Sequence, residues 1–153
     1  MVQIEGNLDE ALNRFIKQVE NSSSKLTTAD KQEIALAGAQ VFEKAERDET
    51  NAKHRSSHHD DTYGHAADGI GLYQPSGLDD AETLVGSYVV GWKERYHAMN
   101  MMRVNDGTSW IVGDHFITNL RKNANVQQRM LAAEKAAYDR IVARKRDDVD
   151  ARG

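Results

Sequence analysis

"DGIGLYQPSGLDDAETLVGSYVVGW", Asp68 to Trp92, decides the fold class. Ile70, Leu72 and Gln74 alternate with Gly71 and Tyr73, and Leu84, Tyr88, Val90 and Trp92 alternate with Val85, Ser87 and Val89. A period of two is the signature of a strand with two unlike faces. Pro75, Ser76 and Gly77 lie between the runs and supply a turn, so the two strands pair antiparallel. Gly86 and Gly91 mark a bulge or a close backbone approach.

Outward from this pair the pattern is helical. Upstream, Leu8, Leu12, Phe15 and Val19 recur at helical spacing, which predicts a helix from Asn7 to about Glu20, with Asn7 as its cap. "NSSSK" is a polar turn. Thr27 and Asp30 stand at capping-box spacing, with Asp where Glu is usual, and open a second helix running to Arg47. Its apolar face is Ile34, Gly38, Val41, Phe42 and Ala45, and Gly38 inside a helix implies close packing there. Arg47 to His65 has no periodicity and is expected to be a long polar loop. Downstream, "KERYHAMNMMRV" is expected as a short helix and Trp110–Val112 as a short third strand. A last helix is expected to start near Asp114 and to kink or restart around Asn123–Asn125. Its apolar arc is Met130, Leu131, Ala137, Tyr138 and Ile141. The expectation is an α+β fold: two N-terminal helices and a long C-terminal helix packed on a small, mainly antiparallel β-sheet. One domain spans 1–146, and 147–153 is a frayed tail.

The bulk composition narrows the chemistry. The 153 residues are 39% hydrophobic and 29% charged, enough for one core. No apolar run reaches the roughly 18 residues of a membrane span, so no membrane partner is expected. "MVQIEGNLDEAL" has no basic stretch ahead of an apolar one, so no secretory signal is expected. There is no cysteine, which removes disulfides, thiolate catalysis and cysteine-bound zinc. Between Arg121 and Arg146 eight basic residues face only Glu134 and Asp139, in a chain whose net charge is −4. Arg129, Arg140 and Arg144 share one helical arc, which suits either a polyanion or an acidic protein face.

The stretch "HRSSHHDDTYGH" holds four of the six histidines. His54, His58, His59, Asp61 and His65 are the candidate metal ligands. Their spacing is poor for that role. The HExxH pattern is absent, and adjacent His58 and His59 point apart in an extended chain. Ser87 is not in a nucleophile elbow, "DGIG" lacks phosphate-loop spacing, and Asp79, Asp80 and Glu82 suit an exposed turn. Met99, Met101, Met102 and Trp110 suit core or interface packing. No catalytic residue, cofactor or metal is expected.

Three segments, in order, resemble a known family. "GHAADGI" (Gly64–Ile70) resembles the Gly-x-Leu-x-x-Ser-Ile segment of the neck and tail-completion proteins of long-tailed bacteriophages, the head–tail joining, minor tail protein Z type. "VGSYVVGWKERYHAMNMMRVNDGT" (Val85–Thr108) resembles its strand and tyrosine-bearing segment ending in Glu-Phe-Gly-Thr. "VGDHFITNL" (Val112–Leu120) resembles the Pro-x-x-Phe-Ile/Leu segment that opens the closing helix. Asn105–Asp106 replaces Glu-Phe, Gly113–Asp114 replaces the proline-rich approach, and Ala66 replaces the leucine. The resemblance covers roughly residues 8 to 142.

The resemblance implies a non-enzymatic virion protein assembled in the bacterial host cytoplasm. It would form a homo-oligomeric ring, with a hexamer the expected size, between head-closure or connector proteins and tail-terminator or tail-tube proteins. Genomic DNA would pass through the channel. On this reading Ile70 starts the first strand facing the helices, and Trp92 and Tyr96 lie in the central segment. Gly107 and Thr108 form a tight turn, and Phe116 anchors the closing helix to the sheet. Arg129, Arg140 and Arg144 face an acidic neighbour in preference to DNA, which must slide. The alternatives are a metal-dependent hydrolase built on His54–His65, or a small regulator that binds nucleic acid or protein through the basic C-terminal helix.

Overall fold

The structure, a computed structural model, describes residues 8–22, 25–57, 60–74 and 87–153. The predicted Asn7 cap, the Pro75–Ser76–Gly77 turn, the strand start at Leu84, the Gly86 bulge and the acidic Asp79, Asp80 and Glu82 lie outside the described residues. In chain order the elements are α1 (Leu8–Ser22), α2 (Thr28–His54), a 3-10 turn (Ala66–Gly69), β1 (Ile70–Tyr73), β2 (Val89–Trp92), α3 (Arg95–Asp106), α4 (Phe116–Arg121) and α5 (Ala124–Arg152). This is a mostly helical α+β fold with one small antiparallel pair among the described residues. The backbone clusters into two compact units. One holds residues 1–38, 74–88 and 128–153, the other 39–73 and 89–127.

In the first unit α1, the start of α2 and most of α5 bury Phe15, Leu26, Ile34, Leu131, Ala137, Tyr138 and Ile141. Phe15 meets Tyr138 edge-on, with ring centroids 5.9 Å apart at 88°. Each large side chain buried here contributes roughly 1.5–3 kcal/mol. The capping box forms as expected: Thr27 N–H donates to Asp30 Oδ2 at 2.8 Å, and Asp30 N–H donates to Thr27 Oγ1 at 3.1 Å. Aspartate serves in place of glutamate because it also meets α5: Lys145 Nζ lies 2.8 Å from Asp30 Oδ2, and Arg144 lies 3.6 Å from Oδ1. The hydrogen bond from Lys145 holds the Asp30 carboxyl below its ordinary range against the opposing effect of burial. Gly38 is buried where a Cβ would collide with the Glu134 side chain, its Cδ only 2.8 Å away. The close packing inferred from that glycine is a helix-to-carboxylate contact.

In the second unit the remainder of α2 carries the hairpin, α3 and α4. The strands pair in the register Ile70↔Trp92, Gly71↔Gly91, Leu72↔Val90 and Tyr73↔Val89. A two-stranded sheet is marginal alone. This one is fastened at its open end: Trp92 Nε1–H donates to Ala66 O at 2.8 Å, and Arg47 donates to Ile70 O at 2.9 Å.

Three expectations are corrected. Helix α2 does not end at Arg47 but continues to His54. Pairs at i, i+4 support the extra turns: Glu43–Arg47, Lys44–Asp48 and Glu49–Lys53, each at 2.6 Å. Buried Thr50 returns its hydroxyl to Glu46 O at 2.7 Å. Trp110–Val112 is a bend and not a strand. The Thr108 hydroxyl accepts from Trp110 N–H at 3.2 Å and Ile111 N–H at 3.1 Å, a local closure that competes with a ladder. The tail is helical to Arg152, although every residue from Arg146 onward is exposed. Propagation from a long helix needs only one backbone bond per added residue.

Asp30 caps one helix and pairs with another while buried. Replacing Asp30 by alanine should cost about 2–3 kcal/mol, against about 1 kcal/mol for Thr27→Ala. Urea unfolding of both variants measures the difference, and equal losses would show that the α5 contacts add nothing.

Candidate functional site

The second unit is organised around the passage from α3 to α4. Asn105, 7% exposed, lies one residue before the end of α3. Its Oδ1 accepts from Ile117 N–H at 2.9 Å and Thr118 N–H at 3.1 Å. Its Nδ2 donates to Thr118 Oγ1 at 3.0 Å and Asp106 Oδ1 at 2.7 Å. Both donors and both acceptor directions of the amide are therefore used. The first N–H of α4, from Phe116, goes to Asp114 Oδ1 at 3.1 Å, and Asn119 N–H returns to His115 O at 2.7 Å. All four N-terminal donors of this six-residue helix are satisfied, two of them by a side chain from another helix.

The carbonyl end of α3 is closed by the same connection. Gly107 N–H donates to Arg103 O at 2.8 Å, Asp114 N–H to Val104 O at 3.2 Å, and His115 N–H to Asn105 O at 3.0 Å. Gly107 has φ +84°, and a Cβ there would lie 2.7 Å from Gly113 N. His115 sits in the left-handed region at φ 57°, ψ 28°, a conformation that costs roughly 1–2 kcal/mol for a residue other than glycine. The loop is thus pinned at both ends. Its middle is in water: Trp110 is 94% exposed and Val112 95%. Residues 106–113 bound a surface concavity of about 490 Å³.

Of the candidate metal ligands, His54, Asp61 and His65 are among the described residues. His58 and His59 lie outside the described residues. Among the described residues no three His, Cys, Asp or Glu side chains gather to hold a metal ion. His54, at the end of α2, lies 2.9 Å through Nε2 from Asp114 Oδ2. Among the described residues this buried Nε2 has no aligned hydrogen-bond partner, so the approach to Asp114 is a close contact and not a hydrogen bond. The His54 ring packs on Phe116 with centroids 4.3 Å apart. Nδ1 and Nε2 of His65 face Ala67 N–H at 3.1 Å and Ser56 N–H at 3.2 Å, and a neutral imidazole has one lone pair to accept either. Asp61 lies in an exposed turn. That turn is closed by Asp60, whose Oδ1 accepts from Thr62 N–H at 2.8 Å and Tyr63 N–H at 3.1 Å.

Other expected positions fall as follows. Ile70 is 4% exposed and begins β1. Tyr96 stacks on Tyr63 with centroids 5.1 Å apart. Gly107 and Thr108 make the turn after α3. Phe116 is fully buried, and its ring packs on His54 of α2. Arg129 and Arg140 are exposed. Arg144 is engaged within its own chain, 3.1 Å from Glu33 and 3.6 Å from Asp30.

Sequence reasoning missed Asn105, Asp114 and Glu46 as site residues. The Asn105 signal was present as a departure from Glu-Phe before Gly-Thr. Glu46 is 1% exposed, and its Oε2 has no partner among the described residues. Burial pushes its carboxyl up to about 7, against a lowering pull from Arg121. Burial likewise pushes Glu134 up to about 7. A sealed acid on the middle of α2 is a packing feature that no substrate reaches. Compared with protein-family models, with curated proteins and with solved structures, the chain matches none.

Two outcomes follow from this geometry. Asn105→Ala leaves two N–H groups at the start of α4 without their acceptor and should cost about 2–4 kcal/mol, with faster amide exchange at Ile117 and Thr118 than elsewhere in α4. An unchanged exchange pattern would show that the amide is dispensable. Glu46 and Glu134 titrate near 4.5 when unfolded and near 7 when folded, so they favour folding below pH 4.5. That contribution is lost as pH rises through 7. Glu46→Gln should therefore stabilise the protein at pH 8 by on the order of 2 kcal/mol and change little at pH 4.5, as read from unfolding across pH. A pH-independent effect would refute the burial argument.

Proposed function

We propose that this chain is a structural assembly protein of a tailed bacteriophage or prophage, joining head to tail as an oligomeric ring. The observation that carries the reading is the meeting of the three family-like segments. Gly64–Ile70, Val85–Thr108 and Val112–Leu120 each resemble that family separately in sequence. Their described residues interlock: Trp92 bonds to Ala66, Asn105 holds Ile117 and Thr118, and Val104 accepts from Asp114. Segments that resemble one family in order, and whose residues 64–70, 89–108 and 112–120 bond to one another within the second unit, support a common origin better than three scattered likenesses.

The surface agrees with a role in assembly. A loop fixed by six or so hydrogen bonds that still exposes a tryptophan and a valine is a poor solution for a solitary protein. The basic arc contributes less than its sequence implies, because Arg144 is already paired with Asp30 and Glu33. That leaves Arg129 and Arg140 to face a neighbour.

Negative-stain images of the full chain, alone and mixed with isolated tails that lack it, test the proposal. Rings, or tail ends newly occupied by ring-sized density, are the expected result. A protein that stays monomeric and binds neither tails nor connectors would overturn it.

A further inference from the structure

We infer that the Asp106–Gly107 bond is a site of spontaneous aspartate isomerisation, and that the closure between α3 and α4 holds it shut. This chemistry does not depend on the head–tail role.

The reaction needs no enzyme and no reactant but water. The Gly107 nitrogen attacks Cγ of the Asp106 carboxylic acid and loses its proton. The C–OH bond at Cγ breaks, water leaves, and a five-membered succinimide remains. Water then opens the ring at one of its two carbonyls. Opening at the former backbone carbonyl leaves the chain running through Cβ and Cγ, one carbon longer, with no net change in mass. Glycine is the most permissive successor, because no side chain obstructs the attacking nitrogen.

The turn needs both residues. Gly107 has φ +84°, and a Cβ there would lie 2.7 Å from Gly113 N and 2.8 Å from Ile111 O, both backbone atoms. Asp106 Oδ1 accepts from Asn105 Nδ2 at 2.7 Å, one of the bonds that orient the amide toward the start of α4. A labile pair is thus built into the passage between two helices.

The same passage suppresses the reaction. Gly107 N–H donates to Arg103 O at 2.8 Å, so the attacking nitrogen is held to the last turn of α3. Asp106 is the last residue of that helix, and a helical side chain leans toward the helix N-terminus, away from the following nitrogen. The Asn105 amide keeps the carboxyl on that side. Asp106 is exposed, so water is present, and what is missing is the approach of nitrogen to Cγ. Attack requires the end of α3 to open, and its rate follows the open fraction. Once isomerised, the longer backbone carries Gly107 N–H out of register with Arg103 O, and the closure cannot re-form.

The variant Asp106→Asn tests this by mass spectrometry of the full chain. Asparagine passes through the same succinimide faster, with ammonia leaving, and ring opening reads as a mass increase. Its amide oxygen still accepts from Asn105. Deamidation in the folded chain should be at least about tenfold slower than in urea at the same pH and temperature, because only the open fraction reacts. Adding Asn105→Ala, with folding checked by circular dichroism, should speed it at least about tenfold. Isomerisation at the chain's other Asp–Gly pair, Asp68–Gly69, is the internal control and should not change. As a second measurement, on Asp106→Asn alone, sub-denaturing urea should raise the deamidation rate in proportion to amide exchange at Ile117 and Thr118. Equal rates in the folded chain and in urea, a folded double variant that keeps its protection, or a rate that does not track those two amides would overturn the inference.

Discussion

One buried asparagine determines how the second unit is built. Asn105 ends a helix and, through its side chain, begins another twelve residues later. Helix α4 is too short to be stable by itself, since six residues form few internal bonds. Its donors are met by Asn105 and Asp114, and the carbonyl end of α3 is met by the N–H groups of the connecting loop. The two helix ends cap one another. Once that exchange is made, the loop has no freedom left at its base, and the left-handed His115 and the close Gly107–Gly113 approach become consequences of closure. Phe116 is then delivered to His54, and Asp114 comes within 2.9 Å of the same ring.

The legible parts of the sequence were those governed by local physics. Alternation gave the strand pair, and the Thr27–Asp30 spacing gave the start of α2. The break at Asn123 is real, with Asn123 Oδ1 accepting from Val126 N–H at 3.1 Å. The end of α2 was misjudged because apolar periodicity fades after Ala45 while charge periodicity continues. Glu43–Arg47, Lys44–Asp48 and Glu49–Lys53 were readable in the sequence as i, i+4 pairs. Trp110–Val112 misled for the opposite reason: three apolar residues suggest a strand, but the preceding threonine hydroxyl closes a turn on them. The candidate site was half visible. Gly107, Thr108 and Phe116 were singled out, whereas the long-range amide contacts of Asn105 have no local signature.

The charges also changed meaning in three dimensions. The C-terminal segment looks like a basic surface awaiting a partner, yet Arg144 and Lys145 meet Asp30 and Glu33 of α2 in the same unit. Part of the charge asymmetry along the chain is therefore internal complementarity between two helices. The histidine-rich stretch follows the same rule. His54 is the end of a helix packed on a phenylalanine, and His65 supports the 3-10 turn that leads into β1. Residues that looked alike in composition serve separate local roles.

What the unit does with its rigidity points outward. A loop could hide its tryptophan by relaxing toward the body, and apolar burial of that size is worth a few kcal/mol. Here the backbone forbids it. The hydrogen bonds that satisfy the helix ends also hold residues 109–112 away from the core, so a strained residue and an exposed indole are maintained together. Such a combination costs stability in the isolated chain. The constraint that organises the fold and the feature that suggests assembly are therefore one arrangement: Asn105 fixes the helix ends, and fixing the helix ends displays Trp110.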